Sequence, residues 1–207
     1  MEQKITTLFL DIGGVILTSG WDRHSRHRAV TRFNLDQEEM EDRHHLVSGL
    51  FDAGMLSMDE YLNRVIFHQK RNFSKEDFKV FMFEQSVPIE GSIEFFKSLK
   101  GEHSLKVIAV NNEARELNDY RIHKYNLDLL FDAFVSSCYV HRSKPDLEMW
   151  RMACGIAQAS PPQILYFDDR LMFVEVARSL GITSYHFQRL DDAKLFVKAI
   201  NFSTISV

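Results

Sequence analysis

Apolar and polar positions follow two different periods along this chain. Ile5 to Leu10 is a short apolar run that ends in Asp11-Ile12-Gly13-Gly14, the pattern of a buried parallel strand closed by a tight turn. From about Trp21 to Pro88 the apolar residues recur at helical spacing with no strand-like run, interrupted at Asn34, Gly54 and Asn72. Asp36 and Ser74 stand where helix N-caps belong, and Ser57-Met58-Asp59-Glu60 spells a capping box. These signals predict a bundle of about four helices inserted after the first strand.

Beyond Pro88 strands and helices alternate. The pattern predicts helices near residues 92–99, 113–125, 145–157 and 173–180, and strands at 105–110, 133–136, 164–167 and 183–187. Such alternation is the signature of a doubly wound, Rossmann-like parallel sheet of the α/β class. Residues 1–18 and 89–207 are therefore expected to form the α/β core, and residues 19–88 a helical cap. In these sheets ligands bind beyond the carboxyl ends of the strands, near the point where strand order reverses. That rule singles out the residues immediately after each strand.

Composition narrows the classes. A chain of 207 residues with 45% apolar and 26% charged residues has enough material for one packed core and an accessory layer. The 17 phenylalanines sit mostly at helix-face spacings, which points to packing rather than base stacking. A net charge of −4 and the lack of a basic stripe argue against nucleic-acid partners. Two cysteines, Cys138 and Cys154, supply neither a disulfide framework nor a zinc knuckle. No apolar run reaches the ~18 residues that would span a bilayer, and Met1-Glu2-Gln3-Lys4 leads directly into the first apolar run rather than into a signal-peptide pattern. No membrane association and a cytoplasmic location are the expectations, with a monomer or homodimer as the assembly.

At the strand ends stand Asp11, then Asn111-Asn112, then Lys144 in Ser143-Lys144-Pro145-Asp146, then Asp168-Asp169. Singly, each has an ordinary explanation: an aspartate after a strand commonly forms a turn or caps a helix, and a loop lysine is commonly solvated. Together, at the carboxyl ends of one expected sheet, they are much harder to explain by chance. Here the chain resembles the haloacid dehalogenase superfamily over nearly its whole length. Leu8-Phe9-Leu10-Asp11-Ile12-Gly13-Gly14-Val15 is similar to the first motif of that family. The second is matched by Val107 to Asn112 with Glu113-Ala114-Arg115-Glu116-Leu117, the third by Ser143-Lys144-Pro145-Asp146, and the fourth by Tyr166-Phe167-Asp168-Asp169-Arg170. The helical insertion resembles the family's C1-type cap.

The resemblance implies a magnesium-dependent hydrolase acting on a small phosphorylated metabolite, with Asp11 as covalent nucleophile. It implies Mg²⁺ held by Asp11, the Gly13 carbonyl and Asp168, with Asp169 sharing the metal or supporting it. Lys144, the Asn111 amide and the backbone N–H groups of Ile12, Gly13 and Asn112 would bind phosphoryl oxygens. The sequence departs from the family at three positions. Gly13 stands where most of the family's phosphatases carry a second aspartate that protonates the leaving oxygen, a contribution of about 10²–10⁴ in rate. Asn111 replaces a Ser or Thr, and Phe173 a polar residue. Gly13 suggests a substrate with a comparatively acidic leaving group, such as an anomeric or acyl phosphate. The departures also keep open a fold-retaining binding or regulatory protein without useful turnover, and carbon–halogen hydrolysis, which does without the second aspartate, remains a further alternative.

Substrate choice is expected from the cap, where Trp21, His24, His27 and Arg28 follow the first motif. Helical spacing puts His24, His27 and Arg28 on one side, where a solvated polar face is the commoner reading and a substitute proton donor the functional one. Adjacent His44 and His45 face different sides of a helix and make a poor metal pair.

Overall fold

The computed structural model describes residues 4–202. Five parallel strands, β1 (Thr7–Leu10), β2 (Lys106–Asn111), β3 (Ala133–Ser136), β4 (Ile164–Asp168) and β5 (Thr183–His186), form one sheet in the order β3-β2-β1-β4-β5. The chain runs outward from β1 through β2 to β3, then crosses over to β4 on the opposite side of β1. Strand order therefore reverses between β1 and β4, and Leu10 and Phe167 pair at that seam. A crevice opens there beyond the strand ends.

Both sheet faces are buried because both are apolar. Leu8, Leu10, Val107, Ala109, Leu165 and Phe167 face one way and pack with helices α5 (Ser92–His103) and α10 (Leu190–Val197). Phe9, Ile108, Val110 and Tyr166 face the other way, against α8 (Leu147–Ala157) and α9 (Leu171–Ser179). The two-residue period of a strand delivers one set to each layer, so a continuous apolar run is what this position requires.

Between β1 and α5 lie α1 (Arg23–Phe33), α2 (Gln37–Asp52), α3 (Met58–Val65) and α4 (Lys75–Glu84). Their ends are set by the residues expected to set them. Asp36 accepts from the Glu39 N–H at 2.9 Å, and Ser57–Glu60 and Ser74–Asp77 each form a reciprocal capping box. The chain entering and leaving this layer runs antiparallel and hydrogen-bonded, Thr18 N–H to the Val87 carbonyl at 2.8 Å and Ile89 N–H to the Ile16 carbonyl at 3.0 Å. Trp21, Phe33, Phe51, Tyr61, Phe73, Phe78 and Met82 fill the interior of the layer. It seats on α6 (Arg115–Lys124) through Ala114 and Leu117. Gly54 permits a second close approach, because a Cβ there would lie 2.5 Å from the Cys138 carbonyl oxygen of α7 (Ser137–Val140).

Departures from the expected elements are local. α5 runs one turn further than residue 99, and α7, α10 and two short 3₁₀ turns are too short to show a period. None of the described helices is long and apolar enough to cross a membrane.

Phe78 has no exposed surface and its ring meets those of Trp21, Phe33, Phe67, Phe73 and Phe81. Phe78→Ala should lower stability by about 3–5 kcal/mol, read as a shift in the urea midpoint. A change below about 1 kcal/mol would contradict a packed helical layer.

Candidate active site

Two strand ends and one loop carry the charged groups of the site. Asp11 follows β1, Asp168 ends β4 and Asp169 follows it, while Lys144 arrives on the loop between α7 and α8. Oxygens of Asp11, Asp168 and Asp169 lie within 4.8 Å of one another. The Lys144 ammonium lies 3.0 Å from Asp11 Oδ2 and 2.6 Å from Asp168 Oδ2, with its side chain and that of Asp168 sealed from solvent. Asn112 fixes the lysine's backbone from both sides: its Oδ1 accepts from the Lys144 N–H at 2.8 Å and its Nδ2 donates to the Lys144 carbonyl at 2.9 Å.

The electrostatics follow from burial and like charge. The Asp11 carboxyl is pushed up to about 7 on balance, burial being the largest cause. Lys144 pulls it down, and Asp168 and Asp169 push it up again. Asp169 is raised for the same two reasons, desolvation and the adjacent Asp168. For Lys144 desolvation works toward neutrality, but Asp11 and Asp168 outweigh it and hold the ammonium charged. The cluster thus carries more negative charge than its one ammonium can offset, and all its donors are hard oxygens. Such a set fits a divalent cation of the magnesium kind. Gly14 adds a steric argument: its φ is +75°, and a Cβ there would meet the Asp169 carboxylate at 2.3 Å. Only glycine lets that carboxylate lie against the first-strand turn.

The cluster opens on a cavity of about 370 Å³ between the sheet and the helical layer, reached by Asp11, Gly13, Asn112, Lys144 and Asp169. Of the sequence candidates in the cap, Trp21 lines it, and its indole N–H donates to the Tyr61 hydroxyl at 2.8 Å. His24, His27 and Arg28 are exposed and lie outside it. His27 pairs with Gln37 at 3.1 Å and Arg28 donates to Gln85 at 2.8 Å, so the solvated-face reading describes this side of α1. The face that looks into the cavity carries Arg23 and Arg26 instead. Arg26 is held by a two-pronged pair with Glu41 at 2.8 and 2.9 Å. His44 and His45 do diverge: His45 is exposed, whereas His44 lines the cavity and shares a 2.8 Å hydrogen bond with Tyr61.

Two expected phosphate contacts are otherwise engaged. The Asn111 amide is buried outside the cavity, accepting from Ser136 Oγ at 2.7 Å and donating to Asn118 at 3.0 Å. An amide is longer than the hydroxyl it replaces and reaches the neighbouring strand and helix. The Ile12 N–H donates to Asp11 Oδ1 at 2.7 Å, orienting the carboxylate. Phe173 leaves no polar gap, because its ring lies 5.0 Å from the Lys144 ammonium and Tyr166 supplies the polar group. The Tyr166 hydroxyl donates to Asp168 Oδ2 and accepts from Lys144 at 3.3 Å. Tyr166 precedes Asp168 by two on one strand, and so shares its face. That spacing was a readable signal.

Sequence reasoning also missed Arg121 and Glu113, an ion pair at 2.5 Å that lines the cavity from α6 and the turn before it. Burial lifts the Glu113 carboxyl while Arg121 draws it back. Their signal was Arg121 falling four residues after Leu117, on the buried face of an otherwise polar helix.

A family model described as haloacid dehalogenase-like hydrolase matches residues 5–181. A phosphorylated carbohydrates phosphatase of Thermotoga maritima is 26% identical over 145 residues, covering 69% of this chain and 62% of that protein. The drimenol cyclase drtB of Aspergillus calidoustus is 25% identical over 193 residues, covering 92% of this chain and 35% of that one. The chain thus spans less than two thirds of each of these curated relatives. Among solved structures, a haloacid-dehalogenase-family enzyme of Bacteroides thetaiotaomicron superimposes with a TM-score of 0.78 at 19% identity, covering 93% of this chain and 98% of that one. The wild-type form of that enzyme has also been crystallised with magnesium and inorganic phosphate, with a TM-score of 0.75 at 16% identity, covering 91% and 98%. With the family model covering most of its length and the four motif regions meeting at one seam of the sheet, this chain belongs to the haloacid dehalogenase-like hydrolases.

Proposed function

We propose that the chain is a magnesium-dependent phosphatase that hydrolyses a small phosphorylated metabolite through an aspartyl-phosphate on Asp11. The observation that carries this reading is the convergence of Asp11, Asp168 and Asp169 within 4.8 Å, with the Lys144 ammonium 3.0 Å from Asp11. Two comparisons support it: the phosphatase named among the relatives, and the magnesium and phosphate bound by a protein of the same fold.

Asp11, Asp168, Asp169 and the Gly13 carbonyl would hold Mg²⁺, which when bound supplies positive charge against the repulsion between an anionic nucleophile and an anionic phosphoryl group. The Ile12 N–H holds one Asp11 oxygen and Lys144 sits against the other, so the carboxylate is oriented before substrate arrives. Lys144 neutralises charge developing on the phosphoryl oxygens, and Tyr166 keeps Lys144 and Asp168 in register. Gly13 and Asn112 line the cavity, and their backbone N–H groups would complete the phosphate contacts. Carbon–halogen hydrolysis would use the same aspartate and lysine. Without a divalent cation it leaves the one Lys144 ammonium to offset Asp11, Asp168 and Asp169 together, which favours the phosphatase reading.

Hydrolysis of p-nitrophenyl phosphate should require Mg²⁺, stop on chelation, and fall by more than about 10⁴-fold in Asp11→Asn, on the scale of losing a nucleophile. Halide release from a 2-haloacid that survives chelation would reverse the assignment. Gly14→Ala should push the Asp169 carboxylate away and raise the Mg²⁺ needed for half-maximal rate by about 10–100-fold. An unchanged metal titration in a folded Gly14→Ala protein would remove Asp169 from the metal site. Tyr166→Phe, which deletes one hydroxyl, should cost about 10–100-fold in metal affinity or rate. Wild-type kinetics in that variant would make the tyrosine incidental.

A further inference from the structure

Gly13 lacks the side chain that would begin two residues past the nucleophile, and the space in front of it is bounded by the Ser19 backbone, at 3.4 Å from a built Cβ, and by a cation. A Cβ built on Gly13 would lie 3.7 Å from Nη1 of Arg121. On the other side Gly20, with φ +63°, brings its backbone so near that a Cβ there would fall 1.6 Å from Nη2. The guanidinium is threaded between the two glycines, with its side chain 1% exposed. Its Nε donates to Ser86 Oγ at 2.9 Å, its Nη2 to the Thr18 carbonyl at 3.3 Å, and its Nη1 pairs with Glu113 Oε2 at 2.5 Å. A guanidinium carries five N–H donors. Among the described residues two N–H groups make hydrogen bonds and the Nη1 end is ion-paired with Glu113, so the group keeps donor capacity beyond these partners while lining the same cavity as Asp11 and Gly13.

Resting on the phosphatase reading, we infer that Arg121 stabilises the departing oxygen in place of a proton donor, and that the substrates are phosphates whose leaving oxygen is stable as an anion: anomeric, acyl, enol or aryl phosphates. In the first step an Asp11 oxygen bonds to phosphorus, the bond from phosphorus to the leaving oxygen breaks, and its electron pair departs with that oxygen. A guanidinium serves as a fixed charge and hydrogen-bond donor rather than as an acid. It meets the oxyanion with fixed charge, and solvent water protonates it afterwards. In the second step water bonds to phosphorus, the bond to Asp11 breaks with its electron pair returning to the carboxylate, and the surplus proton leaves with phosphate into solvent. Glu113 balances the guanidinium and fixes its direction. A neutral donor at position 13 would serve any alkyl phosphate, whereas a fixed cation favours leaving groups that tolerate a full negative charge.

The test is a leaving-group series, from acidic aryl phosphates to simple alkyl phosphates, with kcat/KM measured in saturating Mg²⁺. Wild type should hydrolyse the aryl and acyl members faster than the alkyl ones by at least the ~10²–10⁴ that a proton donor would recover. Arg121→Met combined with Glu113→Gln removes both charges together and so leaves neither buried alone. It should steepen the dependence on leaving-group acidity, while a purely structural role would lower every rate by one factor. Gly13→Asp, which introduces a carboxyl where the backbone has room, should raise alkyl phosphate turnover more than aryl. Equal rates across the wild-type series would overturn the inference, as would an unaltered slope in the folded double variant. A shallow wild-type slope that steepens in Glu113→Gln alone would assign proton transfer to Glu113 instead. If no member shows turnover that depends on Asp11 and Mg²⁺, the phosphatase reading falls and the role of Arg121 falls with it.

Discussion

One buried ammonium holds the site together. Lys144 sits between Asp11 and Asp168 at the seam where strand order reverses, and its charge offsets both carboxylates. Taking a charge out of water costs several kcal/mol, recovered only when geometry and hydrogen bonding are close to ideal. The molecule meets that condition with backbone and side chain alike. Asn112 clamps the lysine's main chain, Tyr166 bridges it to Asp168, the Arg170 N–H holds the second Asp168 oxygen at 2.8 Å, and Phe173 lays its ring beneath the ammonium. Removing one member would strand the others as unpaired buried charge, so the arrangement is rigid because its alternatives are expensive.

A rigid cluster with surplus negative charge has two uses. Its geometry would suit a divalent cation in the gap between Asp11, Asp168 and Asp169, and it presents Asp11 with one oxygen already tied by the Ile12 N–H. The helical layer supplies what the sheet lacks, a second wall for the cavity and a second set of charges. Arg26 with Glu41, and Arg121 with Glu113, place paired cations in the walls of the cavity. Burial of the two arginine side chains strengthens these interactions, because the effective dielectric around them falls. The aromatic cluster inside the layer keeps that wall in one shape above the carboxylates.

Much of this was legible in the chain itself. Strand position, parallel class and the helical insertion follow from apolar period and capping residues, which depend on neighbours a few positions away. Asp11, Lys144, Asp168 and Asp169 were legible too, since the rule placing ligands beyond strand ends needs only the strands. Tyr166 was half legible: its face followed from a period of two, but its partner did not. The sequence by itself determined the elements, the strand-end carboxylates and the lysine, because local periodicity and turn chemistry are written in short stretches of chain. Only tertiary structure decided that Asn111 turns away, that Arg26 rather than His24 or His27 looks inward, and that Arg121 fills the space before Gly13. Each of these rests on which distant element arrives within a few ångströms, and no spacing along the chain encodes that distance.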